Sequence, residues 1–235
     1  CYEPLARLAG AKPVIIDLSA DNGFRLTAEQ LKNAITEKTK LLVLAFPNNP
    51  TGSVMRREDL EAIAEVIRET NICVLSDEIY AELTYGEKHI SIATLDGMRE
   101  RTIIANGFSK AYAMTGWRMG YTLAPECFTR QMAKIHQYGI MSAPTTSQYA
   151  SIEALKNGDA DIEYMKGEYE ARRNLIVSEL NRLPGVGRRT ALRLAMHILK
   201  MEREDVAAMT ASISEFRNNI CHCAKCGNRS DNEIC

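Results

Sequence analysis

Three short apolar runs, at 41–46, 72–75 and 102–105, restrict what this chain can fold into more than any other feature. The first, Leu41-Leu42-Val43-Leu44-Ala45-Phe46, is continuously apolar, which suits a parallel strand covered on both faces. Between the first and second runs, Leu60, Ile63, Ala64 and Ile67 recur at helical spacing and predict an amphipathic helix over 57–69. Strand, helix and strand in alternation argue for an α/β fold with a mainly parallel sheet sandwiched by helices. Ligands of such sheets sit beyond the carboxyl ends of the strands, so the polar residues there are the first candidates for a site.

The first run leads into Pro47-Asn48-Asn49-Pro50-Thr51-Gly52, a turn by composition that carries Asn49. The second delivers Ser76-Asp77-Glu78-Ile79-Tyr80, and the third delivers Gly107-Phe108-Ser109-Lys110. Each residue has an ordinary explanation: Asn49 as a turn former, Asp77 as a helix cap, Tyr80 as a packing residue, Lys110 as a surface lysine. Together they place an amide, a carboxylate, a phenol and an amine on successive strand ends. A lysine just past a buried strand is placed to be partly desolvated, which favours the neutral amine that attacks carbonyls. Eight positions on, Arg118 offers a planar cation suited to a phosphate, with a structural arginine as the alternative.

Elsewhere, 11–18 is a predicted strand, and Thr27 is a predicted N-cap for a short helix. Helices are expected over 126–138, from 143 to about 157, and from Asp159 to about Leu183. At 235 residues, 46% hydrophobic and 25% charged, the composition is that of a soluble globular protein. No apolar run approaches the ~20 residues needed to cross a bilayer, and no membrane partner is expected. The first residue is Cys1 and no signal-peptide pattern follows, so the chain reads as the middle of a longer one, cytoplasmic by expectation. A net charge of −1 provides no global field toward nucleic acid.

The motifs Asn-Asn-Pro-Thr-Gly at 48–52, Ser-Asp-Glu-Ile-Tyr at 76–80 and Gly-Phe-Ser-Lys at 107–110, with Arg118 and Gly120, resemble those of class I/II aminotransferases of the aspartate aminotransferase fold type. The resemblance covers roughly residues 2–182, a partial large domain expected over 1–182. It implies pyridoxal 5′-phosphate as cofactor, an amino acid and a 2-oxo acid as substrates, and homo-oligomeric full-length parents. Lys110 would be the catalytic residue, bonded to the cofactor as a Schiff base and later moving the substrate proton. Asp77 would pair with the pyridinium nitrogen, and Asn49 and Tyr80 would hydrogen-bond the ring's phenolic oxygen. Arg118 would hold the phosphate, with Ser109 a weaker candidate for the same task.

Beyond Leu183 the sequence changes character. Leu183-Pro184-Gly185-Val186-Gly187-Arg188-Arg189 reads as a tight turn between two helices, a helix-hairpin-helix pattern expected over 183–218. Gly185, Gly187, Arg189 and Arg193 are the candidate DNA contacts, through helix N–H groups and two arginines four apart; a plain αα-hairpin with a basic face fits equally. Four of seven cysteines lie between Cys221 and Cys235, which in a reducing compartment read as metal ligands before disulfides. Cys223, Cys226 and Cys235 resemble three ligands of a four-cysteine zinc site in a truncated segment expected over 219–235. Together, about 179–235 resembles the N-terminal part of the RecR recombination mediator, which works with DNA.

Two truncated resemblances meeting near 178–184 without a linker point to a deletion fusion, an assembly artefact or a partial chain. The expected function is thus a truncated pyridoxal-phosphate aminotransferase fused to a RecR-like DNA-binding segment, without turnover as it stands. The alternative is a DNA recombination or repair fragment whose aminotransferase part is inactive.

Overall fold

The computed structural model describes residues 1–230, 233 and 234. The chain divides into two compact units, Cys1–Gly167 and Glu168–Cys235.

The first unit is built on a four-stranded sheet in the order β1 (Leu41–Ala45), β2 (Cys73–Asp77), β3 (Thr102–Gly107), β4 (Gly120–Leu123). The first three strands are parallel, in a register that sets Asp77 between Ala45 and Ala105 at their carboxyl ends. β4 runs antiparallel to β3, with Gly107 opposite Gly120. The α/β class with a mainly parallel sheet is therefore the observed one, and β4 is an element the sequence did not suggest.

Helices α1 (Tyr2–Leu8) and α2 (Ala28–Ala34) precede the sheet, and α3 (Arg57–Arg68) joins β1 to β2. Thr27 caps α2 as predicted: its hydroxyl accepts from the Gln30 amide, and Gln30 returns a bond to the Thr27 amide. The buried face of α3 is Leu60, Ile63, Ala64 and Ile67, the four residues its periodicity picked out. They pack with Leu44, Phe46, Ile72, Val74, Ile92 and Met98 into one core. Arg101 closes the far end of α3 by donating to the carbonyls of Ile67 and Thr70.

Two expectations need correction. β1 is not covered on both faces: Leu44 is buried while Leu41 is exposed and Val43 only half-buried, the alternation of a one-sided strand. Residues 11–18 form no strand; Ile16 and Leu18 pack against the core, which accounts for their apolar character without backbone pairing.

Helices α4 (Glu126–Gly139), α5 (Thr145–Asn157) and α6 (Asp159–Asn181) fall where expected, with Gly158 closing α5. In the second unit, a turn carrying Gly185 at φ +77° leads into α7 (Arg188–Ile198), followed by α8 (Arg203–Asn219). A two-stranded hairpin of β5 (Cys221–His222) and β6 (Arg229–Ser230) ends it.

Candidate active site

The ends of β1, β2 and β3 carry the predicted residues to one side of the sheet. The turn after β1 is held by its own polar groups: the Thr51 hydroxyl donates to Asn48 Oδ1 (2.9 Å) and the Gly52 amide to the Asn48 carbonyl (2.8 Å). Asn49 rides on this turn and donates from Nδ2 to the Tyr80 hydroxyl at 3.3 Å. Lys110 places Nζ 5.6 Å from the centroid of the same Tyr80 ring, a cation–π distance. Amide, phenol and amine from three different strand ends thus converge.

Lys110 is exposed, so the partial desolvation expected of it from sequence is not observed. Its segment is nevertheless pinned. The Phe108 ring packs against Tyr112 and Tyr121 with centroids 5.3 and 5.6 Å away, and the Thr115 hydroxyl donates to the Ser109 carbonyl at 2.8 Å. Arg118, at a left-handed φ of +53°, donates from a terminal guanidinium nitrogen to the Thr115 carbonyl at 2.9 Å. Thr115 therefore links Ser109 to Arg118, the two residues predicted to hold a phosphate. Ala113 also sits at φ +53°, a costly conformation for a residue with a Cβ.

Asp77 is half-buried as the last residue of β2, and one oxygen accepts the Ile79 amide at 3.2 Å. Its other oxygen takes a short hydrogen bond from the phenol of Tyr2 in α1. Tyr2 is the residue that sequence reading missed. Burial pushes its phenol pKa well above the ordinary value, and the hydrogen bond and negative charge of Asp77 push it further. At neutral pH the Tyr2 phenol is a firm donor, and its hydrogen bond fixes the orientation of the Asp77 carboxylate.

The second unit is a separate matter. Gly187 caps α7, and Arg189 and Arg193 lie four apart on it. Cys223 is buried and Cys226 exposed, with the Cys223 amide bonded to the Asn228 carbonyl (2.7 Å) and the Gly227 amide to the Cys223 carbonyl (2.9 Å). Among the described residues no three His, Cys, Asp or Glu side chains group to hold a metal ion. Cys235, the third predicted ligand, lies outside the described residues. The zinc expectation thus finds no support: a closed structural site needs four converging ligands.

Geometry of this kind, a carboxylate and an amine at the carboxyl ends of a parallel sheet, defines a recognisable class. The family model for "Aminotransferase class I and II" matches residues 1–219, and the chain belongs to that family. It is 52% identical over 182 residues to the putative aminotransferase YugH of Bacillus subtilis, covering 77% of this chain and 47% of that protein. It is 45% identical over 185 residues to an aspartate aminotransferase of Pyrococcus abyssi, covering 77% of this chain and 48% of the relative. Among solved structures, the aromatic aminotransferase of Pyrococcus horikoshii OT3 matches with a TM-score of 0.73 and 44% identity, covering 77% of this chain and 49% of that one. The chain spans about half the length of the relatives it matches. The family match runs past the junction expected near 178–184, so it does not set a RecR-like segment apart.

Proposed function

We propose that this chain carries the cofactor-reacting part of a pyridoxal 5′-phosphate-dependent aminotransferase, which moves an amino group between an amino acid and a 2-oxo acid. The single observation that carries the proposal is the convergence of Asn49, Tyr80 and Lys110 from three strand ends, with Asp77, held by Tyr2, as the last residue of the middle strand. The donor set suits the cofactor: an amine for its aldehyde, a carboxylate for its ring nitrogen, an amide and a phenol for its ring oxygen, a guanidinium for its phosphate. When bound, pyridoxal phosphate supplies an electron sink next to the substrate's reacting carbon. Lys110 is the group placed to take and return that carbon's proton. The Asp77 carboxylate, oriented by the Tyr2 phenol and the Ile79 amide, is the partner for the ring nitrogen. Asn49 and Tyr80 orient one edge of the ring, and Arg118 with Ser109 takes the phosphate.

Titrating the purified chain with pyridoxal phosphate tests this. A visible absorption band from lysine-bound cofactor should appear, and Lys110→Ala should abolish it. A band that survives Lys110→Ala sinks the assignment of the lysine.

The second unit favours a separate reading, DNA contact of the RecR type through residues 184–193. Its support is the backbone: Gly185 at φ +77°, the Val186 amide bonded to the Leu183 carbonyl at 3.1 Å, and Gly187 as cap of α7. We assign this contact to a hairpin over 183–218, distinct from the aminotransferase part over 1–182 and the cysteine-bearing tail over 219–235. Replacing Arg189 and Arg193 with alanine should then weaken binding to random-sequence duplex DNA and lower the salt slope by about 1–2. Equal binding by the double variant would refute it.

A further inference from the structure

One buried charge in the first unit has no part in the chemistry above. Glu78 follows Asp77 directly, and its side chain is buried, with 5% of the residue exposed. Its Oε1 accepts the Ser76 hydroxyl at 2.8 Å and the Ser91 hydroxyl at 2.6 Å, while Oε2 lies 3.1 Å from His89 Nε2. The His89 side chain is itself only 13% exposed. A lone carboxylate in such a place costs several kcal/mol unless it is paired and hydrogen-bonded, and here every partner is a side chain.

The partners are unevenly placed along the chain. Ser76 lies on β2, but His89 and Ser91 belong to the segment 84–91 that leads into the short 3-10 turn Ile92–Thr94. That turn is anchored in the core, since Ile92 is fully buried among the apolar residues under α3. Glu78 is also fixed through its backbone, its amide donating to the Ala105 carbonyl of β3 at 2.9 Å. Glu78, which follows Asp77 and precedes Tyr80 by two positions, is thus tied to a neighbouring strand, to its own strand and to a core-anchored segment. Asp77 is held by strand pairing to Ala45 and Ala105 and by the Ile79 amide and Tyr2 phenol. Tyr80, beyond the strand end, meets Asn49 and Lys110 and accepts the Leu83 amide at its carbonyl, so it depends more on what fixes the residues just before it.

We infer that Glu78, paired with His89, is a positioning residue for the cofactor site: it locks the end of β2 to segment 84–91, so that the Asp77 carboxylate and the Tyr80 phenol present themselves in a fixed relation. The inference rests on the cofactor reading of Asp77 and Tyr80 given above. Glu78 touches neither cofactor nor substrate in this scheme; it acts through its two neighbours.

Three variants test it: Glu78→Ala, which removes every contact; Glu78→Gln, which keeps an acceptor for the two serines; and His89→Gln. Thr27→Ala serves as a control that weakens α2 through its cap without approaching the site. Two quantities are read for each folded variant, the Kd for pyridoxal phosphate with the position of its absorption band, and the hydrogen-exchange rate of the Ile79 amide. Glu78→Ala should weaken cofactor binding by about tenfold or more, the equivalent of one charge-assisted hydrogen bond, and shift the band. It should speed Ile79 exchange while leaving the core amides of Ile63 and Ile67 unchanged. Glu78→Gln should rescue part of both effects, His89→Gln should resemble it, and Thr27→Ala should move neither. Ile79 exchange and cofactor affinity both unaltered in Glu78→Ala overturn the inference alone. If Glu78→Ala does not fold, the same outcome in Glu78→Gln and His89→Gln overturns it. A wild-type chain that gives no band but shows Ile79 exchange accelerated by Glu78→Ala overturns the cofactor reading while supporting the tie between Glu78 and Asp77.

Discussion

At the scale of residues, two hydrogen-bonded groups, the half-buried Tyr2 and the buried Glu78, set how the fold responds to pH. Tyr2 has a phenol pKa raised by burial first and then by Asp77. The native state therefore holds this proton more tightly than the unfolded chain does. The stability it contributes is complete below the unfolded value of about 10 and is lost as pH rises through the folded one. Tyr112 and Tyr121 are also raised, chiefly by burial, and act with the same sign. Tyr2→Phe should cost about 1.5–3 kcal/mol at neutral pH, as for a hydrogen bond to a charged group, and flatten part of the alkaline decline. Urea unfolding at several pH values checks this, and an unchanged midpoint with an unchanged alkaline slope would count against it. Glu78 has the opposite sign. Burial alone would raise its pKa, but His89, Ser91 and Ser76 outweigh burial and hold it below the ordinary value. Its contribution is present above the unfolded value of 4.5 and is lost as pH falls through the folded one. Glu78→Gln should thus lower stability at pH 7 yet narrow its difference from the wild type below pH ~4; a difference that stays constant across acid would contradict this. The places of Asn49, Asp77, Tyr80 and Lys110 at or just beyond strand ends were legible in sequence because the apolar runs before them are local signals, while their roles rested on the resemblance to aminotransferase motifs. Tyr2, 75 positions from Asp77, was not, because α1 buries no residue and shows no periodic face. Glu78 and His89 were equally silent, since a buried carboxylate and a solvated one look alike until their partners are known.

At the scale of elements, the join between β3 and β4 is the tightest place near Lys110. A Cβ at Gly107 would stand 3.0 Å from the Gly120 Cα and 3.0 Å from the Met119 carbonyl oxygen, both backbone atoms. No side-chain rotation relieves that contact, so the strands must part. Gly107→Ala should cost about 1–3 kcal/mol, as overpacking does elsewhere. It should also weaken cofactor binding, because Lys110 follows Gly107 by three residues. A urea midpoint equal to the wild type would show the strands to be looser than this spacing implies. The same join explains why β4 escaped sequence reading. Its four residues are all exposed, so no alternation marks them, and only pairing with β3 makes them a strand. Residues 11–18 erred in the other direction: apolar side chains that feed the core need not belong to a paired backbone. The α3 stripe and the Thr27 cap were readable because helical signals are local, complete within one or two turns of chain.

At the scale of the whole molecule, the first unit leaves many large apolar side chains exposed. In the first unit, Leu123 on β4, Ile135 and Tyr138 on α4, Ile140 beyond it, and Tyr149 and Leu155 on α5 are all exposed, Tyr138 at 93%. β4 is also an edge of the sheet, with one row of backbone groups open to pairing. Apolar area of this extent, beside an open strand edge, drives association. The relatives, about twice as long as the matched stretch, have further chain available to cover such surfaces. Purified on its own, this chain should therefore self-associate with rising concentration and bind an apolar dye. Leu123→Lys should reduce both, by placing a charge on the edge strand at a position where the wild-type side chain supports no core. Sedimentation velocity across a wide concentration range decides it. A single monomeric species throughout, with no dye binding, would refute the reading of these faces as open.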